Sequence, residues 1–110
     1  MTTINIKQDD TQPAIRVRLK DSDGNPVNLT GATVRVAIQH YLLKNNINIL
    51  RDAYVADATT GEVWLVWQHE ETQVPGLYRV EFRVTYQDGN RETFPNNGYL
   101  LVNILERIGD

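Results

Sequence analysis

The stretch Tyr78-Arg79-Val80-Glu81-Phe82-Arg83-Val84-Thr85-Tyr86 (78–86) sets Tyr78, Val80, Phe82, Val84 and Tyr86 against Arg79, Glu81, Arg83 and Thr85. A period of two is the mark of an extended strand, whose successive side chains leave on opposite faces, so this run has one apolar and one charged face. Its length predicts a central strand. The same period recurs along the chain. In 14–20, Ile15, Val17 and Leu19 alternate with Arg16, Arg18 and Lys20; in 33–38, Val34, Val36 and Ile38 stand opposite Thr33, Arg35 and Ala37. In 62–68, Val63, Leu65 and Trp67 oppose Trp64 and Val66, and in 99–105, Leu100, Val102 and Ile104 oppose Tyr99, Leu101 and Asn103.

Turn chemistry separates these runs. Clusters at 21–26 (DSDGNP), 59–61 (TTG), 74–76 (VPG), 88–90 (DGN) and 95–98 (PNNG) combine glycine, which supplies positive φ, with proline, which presets φ, and Asn or Asp, which bond their own backbone. Regular turns between β-branched and aromatic runs predict an all-β fold, an antiparallel β-sandwich of about seven or eight strands. The segment 40–46, with Tyr41, Leu42 and Leu43, lacks caps and a sustained helical period, so it reads as a strand extension or a bend. No linker, repeat or low-complexity tract divides the chain, which reads as one domain over 1–110 with its core at about 4–104.

Composition narrows the function. With 110 residues, 41% of them hydrophobic and 23% charged, the chain supports one modest core and leaves little for a deep substrate pocket. Eleven Lys and Arg against fourteen Asp and Glu give a net charge of −3, which argues against nucleic acid as a partner. The absence of Cys removes thiolate nucleophiles and Cys-type zinc sites. The opening MTTINIKQDD has no basic start followed by an apolar run, and no stretch has the length of a membrane span, so synthesis in the cytoplasm and no membrane partner are expected.

Groups able to do chemistry are few. His40 and His69, the only imidazoles, follow different strands without metal-ligand spacing and read as surface histidines. His69-Glu70-Glu71-Thr72 resembles part of a zinc-peptidase helix, but Gln73 stands where the second histidine is needed. Asp21-Ser22-Asp23-Gly24-Asn25 opens with the oxygen spacing of a calcium loop, then places Pro26 and Ala32 where Gly and a bidentate Glu belong, so it reads as a polar turn. Asn28-Leu29-Thr30 matches a glycosylation acceptor by chance. No catalytic residue, metal ligand or cofactor is assigned.

Binding groups are better represented. The outward Arg16, Arg18 and Lys20 stripe suits an anionic partner, or simply discourages edge pairing. Trp64 is out of phase with Val63 and Leu65 and is the best candidate for an exposed interface aromatic, with Tyr54 nearby. Ile4 and Ile6 alternate in the segment 2–10, which reads as the first strand of its own domain and otherwise as an arm pairing with a neighbour's sheet edge.

Two segments, DSDGNPVNLTGATVRVAI (21–38) and TTGEVWLVWQHEETQVPGLYRVEFRVTYQDGNRETFPNNGYLLVNI (59–104), taken in order resemble the N-terminal domain of phage baseplate upper proteins and related small tail or virion proteins of tailed phages. The first carries an Asp-Gly-Asn-Pro turn leading to Leu-Thr-Gly-Ala and a strand. The second carries Pro-Gly-x-Tyr, an Asp-Gly turn, Phe-Pro and Gly-Tyr, and the likeness runs from about Lys7 to Ile104.

The resemblance implies an immunoglobulin-like sandwich that acts as a non-enzymatic structural module of the virion, in the tail or baseplate. Its partners are then other virion proteins in a homo-oligomeric or otherwise symmetric assembly. In baseplate upper proteins further regions follow this domain, whereas this sequence ends at Asp110, so an adaptor or accessory role is expected rather than attachment of receptor-binding proteins. Two other roles compete: a carbohydrate-binding sandwich adhering to the bacterial cell wall, and a capsid decoration or head-fibre attachment protein.

Overall fold

A computed structural model describes residues 3–43, 46–96 and 98–109. It contains nine strands among these residues: β1 (Thr3–Lys7), β2 (Ile15–Arg18), β3 (Thr33–His40), β4 (Asn48–Asp52), β5 (Tyr54–Asp57), β6 (Glu62–Leu65), β7 (Gly76–Thr85), β8 (Arg91–Phe94) and β9 (Leu100–Leu105). They form two sheets. The larger runs β1-β9-β7-β3-β4, with β8 also paired to β7, and the smaller runs β2-β6-β5.

This arrangement is the immunoglobulin one. The smaller sheet takes the B, E and D positions, β3, β7 and β9 take C, F and G, and β4 extends the larger sheet as a variable-type domain does. The fold is thus an all-β sandwich, with two differences from the sequence expectation. Strand number exceeds seven or eight because short β4 and β5 and a divided last strand each count. The pairing is not wholly antiparallel, since β1 lies parallel to β9, with Thr3 beside Leu101 and Lys7 beside Leu105. Alternation reports which face a side chain takes and carries no information on strand direction.

The period-two phases set the core. From the larger sheet Val34, Val36, Ile38, Tyr78, Val80, Phe82, Val84, Val102 and Ile104 point inward, and from the smaller sheet Ile15, Val63 and Leu65 meet them. Each fully buried aliphatic or aromatic side chain contributes roughly 1.5–3 kcal/mol against its exposed state. β7 is central, as its alternation predicts: it pairs with β3 on one side and with both β8 and β9 on the other.

β8 and β9 are one interrupted partner of β7, on the same side of it. Phe94 pairs with Phe82 and Leu100 with Val80, so five residues of sequence separate the two paired positions where β7 has Glu81 alone. The excess is even in register, so Phe94 and Val102 both still face the core.

Two connections position the surface features. Only Ala53 separates β4 from β5, so the chain steps from one sheet to the other there, Ala53 N donating to Val34 O at 2.9 Å. Between β6 and β7 lies one 3-10 turn, His69–Thr72, whose Glu71 Oε1 accepts Gln68 N at 2.8 Å. Within 40–46 the chain bends after β3; Lys44 and Asn45 lie outside the described residues, as do Thr2 of the first segment and Asn97 of the last turn. Among the described residues no helix is long and apolar enough to cross a membrane.

Candidate interaction surface

The outer face of the β2-β6-β5 sheet is built by register. Val63 and Leu65 on β6 are fully buried, so Trp64 between them is turned outward. It lies opposite Arg16 on β2 and opposite Tyr54 on β5. The Arg16 guanidinium carbon stands 4.4 Å from the Trp64 ring centroid, and Tyr54 meets the indole edge-on with centroids 5.5 Å apart. Trp64 Nε1 donates to Glu62 Oε2 at 2.8 Å, and Glu62 Oε1 lies 3.5 Å from Arg18 Nε.

Five side chains from three strands therefore brace one another. An exposed cation–π contact contributes about 0.5–1 kcal/mol, an aromatic pair about 0.5–1.5, and a surface ion pair about 0–1. These sums are small beside the core, so the row fixes the geometry of a surface more than it stabilises the domain. The surface is partly apolar: Tyr54 is 56% and Val66 46% exposed. Beside Trp64 runs a groove of about 410 Å³ of mixed character, lined by Pro13, Ala14, Val66 and Trp67 and by Thr11, Gln12 and Arg16. Trp67 is buried, and its Nε1 has no hydrogen-bond partner. A preordered aromatic next to a groove of mixed polar and apolar lining is what a protein interface uses as an anchor.

The structure brings Trp64, Tyr54, Arg16 and Arg18 onto this one face. Ile4 and Ile6 it separates from them. β1 is a strand of its own sandwich, with Ile6 buried and Ile4 half-buried against the core. What β1 leaves to a neighbour, among the described residues, is its unpaired backbone edge.

The histidines require a correction. His69 is exposed on the 3-10 turn, but His40 is buried at the end of β3. Its Nδ1 accepts the amides of Leu42 at 3.1 Å and Leu43 at 3.0 Å, which leaves the proton on Nε2, 3.2 Å from Pro75 O. The ring also meets Tyr78 edge-on, centroids 4.8 Å apart. The signal was present in the sequence: the phase that turns Val34, Val36 and Ile38 inward continues to His40. Among the described residues no three His, Asp or Glu side chains are grouped to hold a metal ion.

The loops at the end where β3 begins are stiffened by side chain to backbone bonds. Asp21 Oδ1 accepts from Asp23 N and Asn25 N, Asp57 Oδ1 from Thr59 N and Oγ1, and Asp88 Oδ1 from Asn90 N. The Thr59 hydroxyl, followed by the amides there, holds the Asp57 carboxyl below its ordinary value. The calcium-like run at Asp21 is thus a turn whose carboxylate is spent on its own backbone.

Sequence reasoning did not single out Arg35, Arg83 and Arg91, which the structure gathers on the outer face of the other sheet. Their outward phase was readable for Arg35 and Arg83; the register that makes them neighbours was not.

The model of the BppU N-terminal domain family matches residues 1–97 of the 110. This takes in β1 to β8, beginning and ending earlier than the motifs at 7–104. Comparison with curated proteins finds no match.

Proposed function

The chain belongs to the family of BppU N-terminal domains, the N-terminal domain of phage baseplate upper proteins, and on that footing we propose that it docks onto its neighbours in the virion through the outer face of the β2-β6-β5 sheet. The family is one of structural domains of the phage baseplate and tail, whose partners are other virion proteins. The finer reading is a non-enzymatic adaptor or accessory piece, repeated in a symmetric assembly, with neither nucleic acid nor membrane as its ligand.

The observation that carries it is the Arg16–Trp64–Tyr54 row, an ordered aromatic surface beside a partly apolar groove on a domain of a structural family. In a symmetric particle one patch is presented many times, so each contact needs only modest affinity for the assembly to hold. The cell-wall carbohydrate reading is less well supported, because a sugar stacks on an open ring face and Arg16 already covers one face of Trp64. Immunogold electron microscopy of purified virions tests the location: labelling at the tail tip supports this reading, labelling on the head favours a capsid decoration role, and unlabelled particles overturn both.

A further inference from the structure

The outer face of the larger sheet holds arginines that outnumber their counter-charges. Arg35 on β3 lies directly opposite Arg83 on β7, and Arg83 lies opposite Thr93 on β8. One row along, Arg91 on β8 faces Thr85, which faces Thr33. All three arginines are exposed. Like charges directly across a strand pair repel, so the sheet itself gains nothing from this register.

Neutralisation is slight. Arg35 Nε is 3.9 Å from Asp52 Oδ1, whose side chain is 93% exposed, and Arg35 Nη2 donates to Leu50 O at 3.3 Å. Arg83 and Arg91 make neither a side-chain hydrogen bond nor an ion pair among the described residues. Glu81, two residues before Arg83 on the same face, shares a hollow with Arg79 and Arg83 but is ion-paired to neither among the described residues. Arg35, Arg83 and Arg91 line an open hollow of about 440 Å³ together with Glu92, whose carboxylate accepts the Tyr86 hydroxyl and Asn96 Nδ2, and with Leu50, 41% exposed, as an apolar ledge. This is a local excess of positive charge in a chain of net charge −3.

A second feature adjoins it. β8 pairs with β7 only, so among the described residues no strand covers its other edge beside Arg91 and Thr93, although Thr93 O accepts Asn96 Nδ2 at 2.9 Å. We propose that this face binds an acidic extended segment of a neighbouring protein, which adds along the free edge of β8 and lays its carboxylates against Arg91 and Arg83. Guanidinium groups recognise carboxylates through paired hydrogen bonds, and an open strand edge is matched by a peptide backbone. A phosphodiester polymer answers the charge but not the edge. An added strand lies one spacing from β8 and two, about 10 Å, from β7, a gap that an acidic and an arginine side chain span together. Alternate residues of the segment fall on the arginine face, so its acidic residues recur every second position.

The test is an NMR titration of the 15N-labelled full chain with a synthetic peptide of about eight residues alternating glutamate and threonine, beside its glutamine–threonine counterpart and an oligothymidylate of like length. The expected result is shift changes confined to β8 and to the residues around Arg83 and Arg35. Affinity should fall at least about tenfold for the glutamine peptide, at about 0.3 M salt against 0.05 M, and for the Arg83→Gln/Arg91→Gln double variant. Arg107→Gln, remote in sequence from these strands, is the matched control and should bind unchanged, and circular dichroism checks that the variants keep the fold. No binding, shifts on another face, or binding of oligothymidylate as tight as that of the acidic peptide overturns the proposal. So does the same shift pattern growing with protein concentration alone, which makes the occupant a second copy.

Discussion

The Arg51 guanidinium, on the edge strand β4 of the larger sheet, closes on the buried Glu71 carboxylate in the turn between β6 and β7, with Nε 2.5 Å from Oε2 and Nη2 2.7 Å from Oε1. Nη2 also donates to Val66 O at 2.8 Å, and Glu71 Oε1 takes Gln68 N as well. The pair joins a strand of one sheet to the connection leaving the other. A carboxylate this deeply buried is costly unless a charge faces it, so removing one partner harms more than the pair itself contributes.

Arg51→Ala should therefore cost about 3–5 kcal/mol, lowering Tm by at least about 10 °C in a domain of this size. Arg51→Lys keeps the charge without the fork and should fall between. Urea unfolding of the three proteins measures both; an Arg51→Ala loss under about 1 kcal/mol contradicts the pairing.

Gly76 opens β7 at φ +137°, and a Cβ there runs into Nε2 of His40. Gly76→Ala meets both backbone strain and collision with a buried ring, so we expect a loss of at least about 2 kcal/mol. Gly89 has φ +92° but open space around it, and Gly89→Ala should cost about 1 kcal/mol from backbone alone. Thermal unfolding that ranks the two equally would place His40 elsewhere.

The same residue shows what a sequence discloses. Inward phase was legible in every long strand, and Trp64, out of phase in an apolar run, was found with Arg16 and Arg18 by that rule alone. Pairing was not legible. The parallel seat of β1, which turns Ile4 and Ile6 inward, and the register that sets Arg35 beside Arg83 join residues far apart in the chain, and no local pattern encodes them. Short β4 escaped because Arg51, an inward-reaching cation, breaks the apolar alternation that identifies a strand, and β5 because four residues are too few to show a period.

Burial, then the hydrogen bond to Glu92 at 2.7 Å, pushes the Tyr86 phenol up to about 12 from 10.0. The fold favours the neutral phenol, so its contribution to stability is whole below pH 10 and is lost as pH rises toward 12. Burial raises the Tyr78 phenol as well, so absorbance titration should show more than one tyrosine ionising late, and Tyr86→Phe should remove one of those steps and flatten the alkaline loss of stability. A Tyr86 that ionises at its ordinary value contradicts the buried bond.

Trp64→Ala removes an outward ring, so the variant should fold with a loss of about 1–2 kcal/mol, whereas Trp67→Ala, at 3% exposure, should lose about 3–5. Despite folding, Trp64→Ala should enter particles at least about tenfold less well than the parent chain. Quantitative blotting of virions against soluble protein measures this; equal incorporation removes Trp64 from the interface.

The most direct measurement is a reconstruction of the intact tail by cryo-electron microscopy at side-chain resolution. The account predicts density from a neighbouring protein over Trp64 and Tyr54, closing the groove beside Pro13 and Val66. Bulk solvent over that row in every copy, with the domain held by its other faces, would contradict it.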